Sequence, residues 1–128
     1  APAGLGTGFQ LATCAADACV VVTCTDASSL RDAQHTVMEL SRFPAGRLHL
    51  VVNRVRKKML RQLHATIDDA IDQAGLPLLG VVPEDDTLPL CLNRGQPPLP
   101  GESRLAAAAY RNIAKRIQGE RVPLLRIR

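Results

Sequence analysis

Leu76 to Asp86 reads LPLLGVVPEDD, and the rest of the chain can be arranged around it. Large aliphatics from Leu78 to Val82, interrupted only by Gly80, show no polar alternation. Both faces of such a strand are expected to be buried, as in a parallel sheet covered by helices. Pro83 has no amide to donate and closes the run, and Glu84, Asp85 and Asp86 follow at the strand's carboxyl end. In open α/β sheets, ligands bind at that edge. Leu48 to Val52 (LHLVV) likewise ends on Asn53-Arg54, and Ala18 to Val22 ends on Thr23-Cys24-Thr25-Asp26. The shared polar edge of these strands is the candidate site.

Helical patterns lie between the strands. Asp26-Ala27-Ser28-Ser29 reads as a turn and helix cap, with Ser29 and Asp32 spaced as a capping box. A helix from Leu30 to about Arg42 would then bury Leu30, Ala33, Val37 and Leu40. Arg56 to His64 is expected to form a loop with a partial helix. Thr66 and Asp69 form a second capping box, ahead of an apolar stripe of Ile67, Ala70, Ile71 and Ala74 that stops at Gly75. Two strand-helix-strand crossovers of this length predict parallel pairing. Beyond Asp86, a short helix is expected over Thr87 to Asn93 with Pro89 in its first turn, then a loop stiffened by three prolines. Ser103 would cap a last helix, Arg104 to Gln118, with Leu105, Ala109, Ile113 and Ile117 inward and Gly119 as its stop. Towards the amino end, Gly4, Gly6 and Gly8 open into a helix over Phe9 to Ala16, an arrangement that can offer free amides to phosphate. The expected fold class is α/β, a three-layer parallel sheet flanked by helices, with residues 1–128 as one domain.

Composition narrows the function. At 128 residues, roughly two thirds of the extended chain's surface can be buried on folding. Aromatics are 2% of the chain, namely Phe9, Phe43 and Tyr110. The core must therefore be aliphatic, and the stacking platforms of single-strand nucleic-acid binders are missing; no specific nucleic acid is expected. Sixteen Lys and Arg against twelve Asp and Glu give a net charge of +4. The only cluster, Arg54, Arg56, Lys57, Lys58 and Arg61, reads as a solvated loop or helix start rather than a nucleic-acid or membrane patch. Cys14, Cys19 and Cys24 recur every fifth position, which matches no common zinc signature, and with Cys91 they read as small buried residues. His35, His49 and His64 are scattered and read as bystanders. No apolar run reaches the length of a membrane span and no signal peptide is visible, so a cytoplasmic protein is expected. The opening APAGLGTGF, without a starting Met, reads as the middle of a fold.

Taken in order, the segments APAGLGTGF, ACVVVTCTDASSLRDA, VVNRVR, LPLLGVVPEDDTL, NRGQPP and AYRNIAKRIQGERVPL resemble the carboxyl-terminal half of the ParA/MinD family of deviant P-loop ATPases. The resemblance covers essentially all 128 residues. It implies a P-loop NTPase-like fold that is incomplete, its first strands and its phosphate-binding loop having no counterpart here. Pro2-Ala3-Gly4 match the family's switch II segment, in which the glycine senses the γ-phosphate; the magnesium-holding Asp would fall just ahead of Ala1. Asn53 resembles the family's adenine reader, and Pro83, Glu84 and Asp85 resemble the turn that packs on the adenine. Ser28, Ser29, Arg31 and Asp32 match a surface helix near the nucleotide-dependent dimer interface, where the division inhibitor and topological regulator (the MinC and MinE type) dock.

These matches imply ATP and magnesium as cofactors of an intact parent, with no catalytic residue and no metal ligand in this chain. Without the glycine-rich loop and its lysines, the chain is not expected to hydrolyse ATP. The family's membrane-targeting helix follows the equivalent of Gly119 to Leu124. Leu125 to Arg128 is too short for one, so membrane binding is expected of the parent, peripheral at the inner membrane, and not of this chain. Two other readings stand beside this one. The first is a non-enzymatic module that self-associates through an exposed edge at the Ala18 to Val22 strand; the second is an iron-sulfur relative, for which the cysteine spacing gives no cluster motif.

Overall fold

The computed structural model describes residues 4–56, 58, 60–97 and 104–123, without the side chains of residues 60–66 and 104. Its central element is β2 (Leu48–Val55), in which Leu50 and Val52 are fully buried and Val55 is nearly so. β1 (Cys19–Thr23) and β3 (Leu78–Pro83) flank it, both parallel, in the order β1-β2-β3. Helices α2 (Ala27–Glu39) and α3 (Leu60–Ala74) cross between the strands on one face. There Leu30, Ala33, Leu40, Ala70 and Ala74 pack against Val21, Leu50, Val52 and Val81. Helix α5 (Arg104–Ile117) covers the other face, where Ala106, Ala109 and Ile113 meet Val51, Leu79 and Val82. Two short α-helices, α1 (Thr7–Cys14) and α4 (Thr87–Asn93), and a 3-10 turn over Ala45–Arg47 make up the remaining helical elements among the described residues. The expected three-layer α/β architecture is present, with a parallel sheet of three strands among the described residues.

Close approach of α5 to the sheet depends on Gly80. A Cβ there would stand 2.5 Å from Ile113 Cγ1, so the run LLGVV needs its one interruption for helix packing. Arg116 ties the same layers, donating from Nη1 to the Leu79 carbonyl at 2.9 Å and from Nε to the Val122 carbonyl at 3.0 Å.

Several boundaries differ from expectation, each for a local reason. Helix α2 starts three residues earlier than predicted because Asp26, not Ser29, is its N-cap: Asp26 accepts from the Ser29 amide at 3.0 Å and from Ser29 Oγ at 2.7 Å. Ser28, Ser29, Arg31 and Asp32 consequently sit inside the first turns of the helix. α3 begins at Leu60, so Thr66 is mid-helix rather than a cap, and the helical part of the Arg56 to His64 stretch is the start of α3. β2 runs on through Asn53 and Arg54 to Val55. Its register with β3 shifts between Val52 and Val55, where Arg54 takes φ 56, a bulge at the site edge. Helix α1 lies two residues before its expected place, and Gly4 takes φ +89.

Burial also departs from expectation. Ile117, predicted inward, is 65% exposed. Of the cysteines, only Cys91 is buried; Cys14 is exposed and Cys19 and Cys24 are intermediate. Along β1, where an exposed apolar edge is one of the readings, Val20 and Val22 point away from Val21 and are 43% and 60% exposed. Pro2-Ala3, Lys57, Ser103, the loop prolines Pro98 and Pro100 and the tail from Leu124 lie outside the described residues. Gly75 and Gly119 end α3 and α5 as expected, at φ +66 and +89.

Candidate functional site: a pocket at the carboxyl ends of β2 and β3

The bulge at Arg54 and the end of β3 at Pro83 open a pocket of about 220 Å3. Asn53, Pro83, Glu84 and Asp85, singled out from sequence, all line it. They come together because β2 and β3 are parallel and end side by side, Val55 opposite Pro83, with the Glu84 amide donating to the Val55 carbonyl at 2.8 Å. Pro89 of α4 and Tyr110 of α5 supply the remaining walls.

The carboxylates have distinct duties. Glu84 accepts from Arg56 Nε at 2.6 Å and from Arg54 Nη2 at 3.4 Å. The Arg56 hydrogen bond in particular holds the Glu84 carboxyl below its ordinary range, against a smaller upward push from burial. Both arginines are well exposed, so these pairs shape the rim more than they stabilise the fold. Asp85 closes an Asx turn, accepting from the Thr87 amide at 3.0 Å and Thr87 Oγ1 at 2.6 Å, and its other oxygen accepts from the Ala106 amide at 3.5 Å. One carboxylate thus accepts from amides in the first turns of both α4 and α5. Asp85 fixes the pocket's walls.

Asn53 brings both an acceptor and a donor to the pocket. That pair complements the donor and acceptor adjacent on an adenine edge, whereas guanine offers two acceptors there. Pro83, Leu88 and Pro89 add apolar surface. The arrangement suits a flat, polar-edged heterocycle.

Gly4 is not part of this pocket. It lines a larger cleft of about 530 Å3 that runs along β1, together with Thr23, Ser29 and Asp32. Ser28 and Arg31 are exposed nearby on α2. The sequence reading missed Tyr110, whose neighbours in sequence carry no site signal. Nor does Arg54 announce its left-handed backbone, for it is neither Gly nor Asn. Among the described residues no group of three or more His, Cys, Asp or Glu is placed to hold a metal ion, and no helix is long and apolar enough to cross a membrane.

No protein-family profile matches the chain. Among curated proteins it is 34% identical over 128 residues to the septum site-determining protein MinD of Synechocystis sp., covering 97% of this chain and 47% of that protein. To MinD of Bacillus subtilis it is 37% identical, covering 96% and 47%. The chain thus spans about half the length of the curated relatives it matches. Among solved structures, the MinD cell division protein of Aquifex aeolicus superimposes with a TM-score of 0.86 at 31% identity, covering 98% of this chain and 53% of that one. A MinC:MinD cell division protein complex from the same organism gives 0.83 at 30% identity, covering 96% and 51%. In sequence and in its incomplete P-loop NTPase-like fold, the chain matches the carboxyl-terminal half of MinD, of the ParA/MinD group.

Proposed function

We propose that this chain is the nucleotide-binding half of a MinD/ParA-type ATPase that acts in cell-division site selection or partitioning. Asn53 reads the adenine edge, Pro83 packs against the base, Glu84 and Asp85 hold the pocket's shape, and Gly4 faces the γ-phosphate from the neighbouring cleft. The observation that carries this reading is the convergence of Asn53, Pro83, Glu84 and Asp85 on one base-sized pocket, in a chain matching MinD in both sequence and fold. The phosphate cradle, its lysines and the magnesium ligands belong to the half of MinD that this chain does not span, so the 128 residues bind without hydrolysing. The Ser28 to Asp32 turn of α2 offers a docking surface for a dimer mate or for a MinC-type partner, a partner class supported by the likeness to a MinC:MinD complex.

Equilibrium binding of ATP and GTP to the chain, with and without Asn53→Ala, tests the base reading. ATP is expected to bind more tightly than GTP, and Asn53→Ala to lose about 1–3 kcal/mol of that preference. Equal affinities for the two nucleotides, unchanged by the substitution, would refute it. A second reading, a self-associating module without nucleotide, is favoured by the half-exposed Val20 and Val22 on the edge strand β1.

A further inference from the structure

We infer that Tyr110 is the stacking wall of the base pocket, the residue that grips the face of the heterocycle whose edge Asn53 addresses. This rests on the nucleotide reading above and adds a binding residue to it.

The pocket's volume of about 220 Å3 falls below the roughly 300–1,000 Å3 of sites that engulf a drug-sized ligand. It has room for a base and leaves ribose and phosphates outside. Hydrogen bonds from Asn53 reach only the base edge, so most of the contact area must come from its faces. Tyr110 is the one aromatic residue lining the pocket. The residue is 43% exposed, whereas Phe9 and Phe43 pack against the core. In a chain with one tyrosine and two phenylalanines, the ring that is spared from the core lies at the site. Stacking between a base and such a ring tolerates any base, which leaves selectivity to Asn53.

The placement of Tyr110 is also fixed. Asp85 accepts from the Ala106 amide, and Tyr110 stands four residues on, one helical turn along the same side of α5. The carboxylate that closes the pocket floor through Thr87 therefore anchors the turn that carries the ring.

The chain holds a single tyrosine and no tryptophan, so the ring protons of Tyr110 form one unambiguous set in a proton NMR spectrum. AMP and ribose 5-phosphate are titrated separately, with the Asn53 side-chain amide as a second reporter. AMP is expected to move the Tyr110 ring signals upfield while ribose 5-phosphate leaves them in place. Tyr110→Ala is expected to weaken AMP binding about tenfold, and Tyr110→Phe, which keeps the ring, to restore it. If AMP moves the Asn53 amide but leaves the Tyr110 ring unmoved, and Tyr110→Ala binds as wild type does, stacking is overturned while the nucleotide reading stands. If AMP moves neither reporter, both fall together.

Discussion

Gly80 illustrates how one position can hold two layers at a set distance. The Cβ that any other residue would bring meets Ile113 Cγ1 at 2.5 Å, and a β-branched side chain has little freedom to turn aside. Gly80→Ala should cost about 1–3 kcal/mol by overpacking. Urea unfolding of Gly80→Ala, Ile113→Ala and the double variant checks this: the double variant should lose less than the sum of the singles, because removing Cγ1 makes room. Additive losses would mean that the contact is not the cause. Glu84 gives a second residue-scale expectation, in pH. Its carboxyl is held below the ordinary 4.5, mainly by the Arg56 hydrogen bond, so on acidification the unfolded chain takes up the proton before the folded one. The stabilisation is fully present above pH 4.5 and is lost as pH falls through the lowered folded value. Melting temperatures of wild type and Glu84→Gln should differ at neutral pH and converge in acid; a constant gap across that range would contradict the pairing.

At the scale of elements, the strands were legible because burial writes itself into runs of Leu and Val, and α4 and the glycine stops because proline and positive φ leave strong local marks. Helix starts were less legible. Ser29 and Asp32 satisfy the capping-box pattern, yet Asp26 also offers an acceptor three residues before an amide, and it is the cap that forms. Two overlapping caps cannot be ranked by spacing alone, because each needs the same amides and the winner depends on where the preceding strand delivers the chain. Asp26→Ala should fray the first turn of α2 and lower the melting temperature, with Asp26→Asn retaining most of the stability because the acceptor remains. Hydrogen exchange at Ser29 reads the effect directly, and unchanged protection in Asp26→Ala would show that another group does the capping. The length of β2 was misread for a related reason: Asn53-Arg54 looks like a turn in isolation, and only pairing with β3 carries the strand past it to Val55. Tyr110 was invisible as a site residue because its partners lie on β2, β3 and α4, far away in sequence.

The whole molecule has an uneven sheet. β2 is paired on both sides, whereas β1 pairs only with β2 among the described residues, with a cleft of about 530 Å3 alongside. The expectation of a strand buried on both faces, made for Leu78 to Val82, matches β3, while β1 keeps Val20 and Val22 half-exposed beside its open edge. An apolar edge of this kind recruits another strand. Light scattering of the chain at micromolar concentration should therefore give a mass above the 13.8 kDa of the monomer, and Val22→Lys should return it to that mass. A wild-type chain that runs as a monomer would remove self-association through β1.

Two cavities compete for the base of the proposed nucleotide, and the smaller one is proposed for it on chemistry rather than size. Photolabelling the chain with 8-azidoadenosine triphosphate, followed by peptide mapping, separates them most directly. Label on the segment from Pro83 to Pro89 or on Tyr110, lost when excess ATP competes, is the predicted result. Label on Gly4, Thr23, Ser29 or Asp32 instead would place the base in the cleft along β1 and contradict the assignment of Asn53 as its reader.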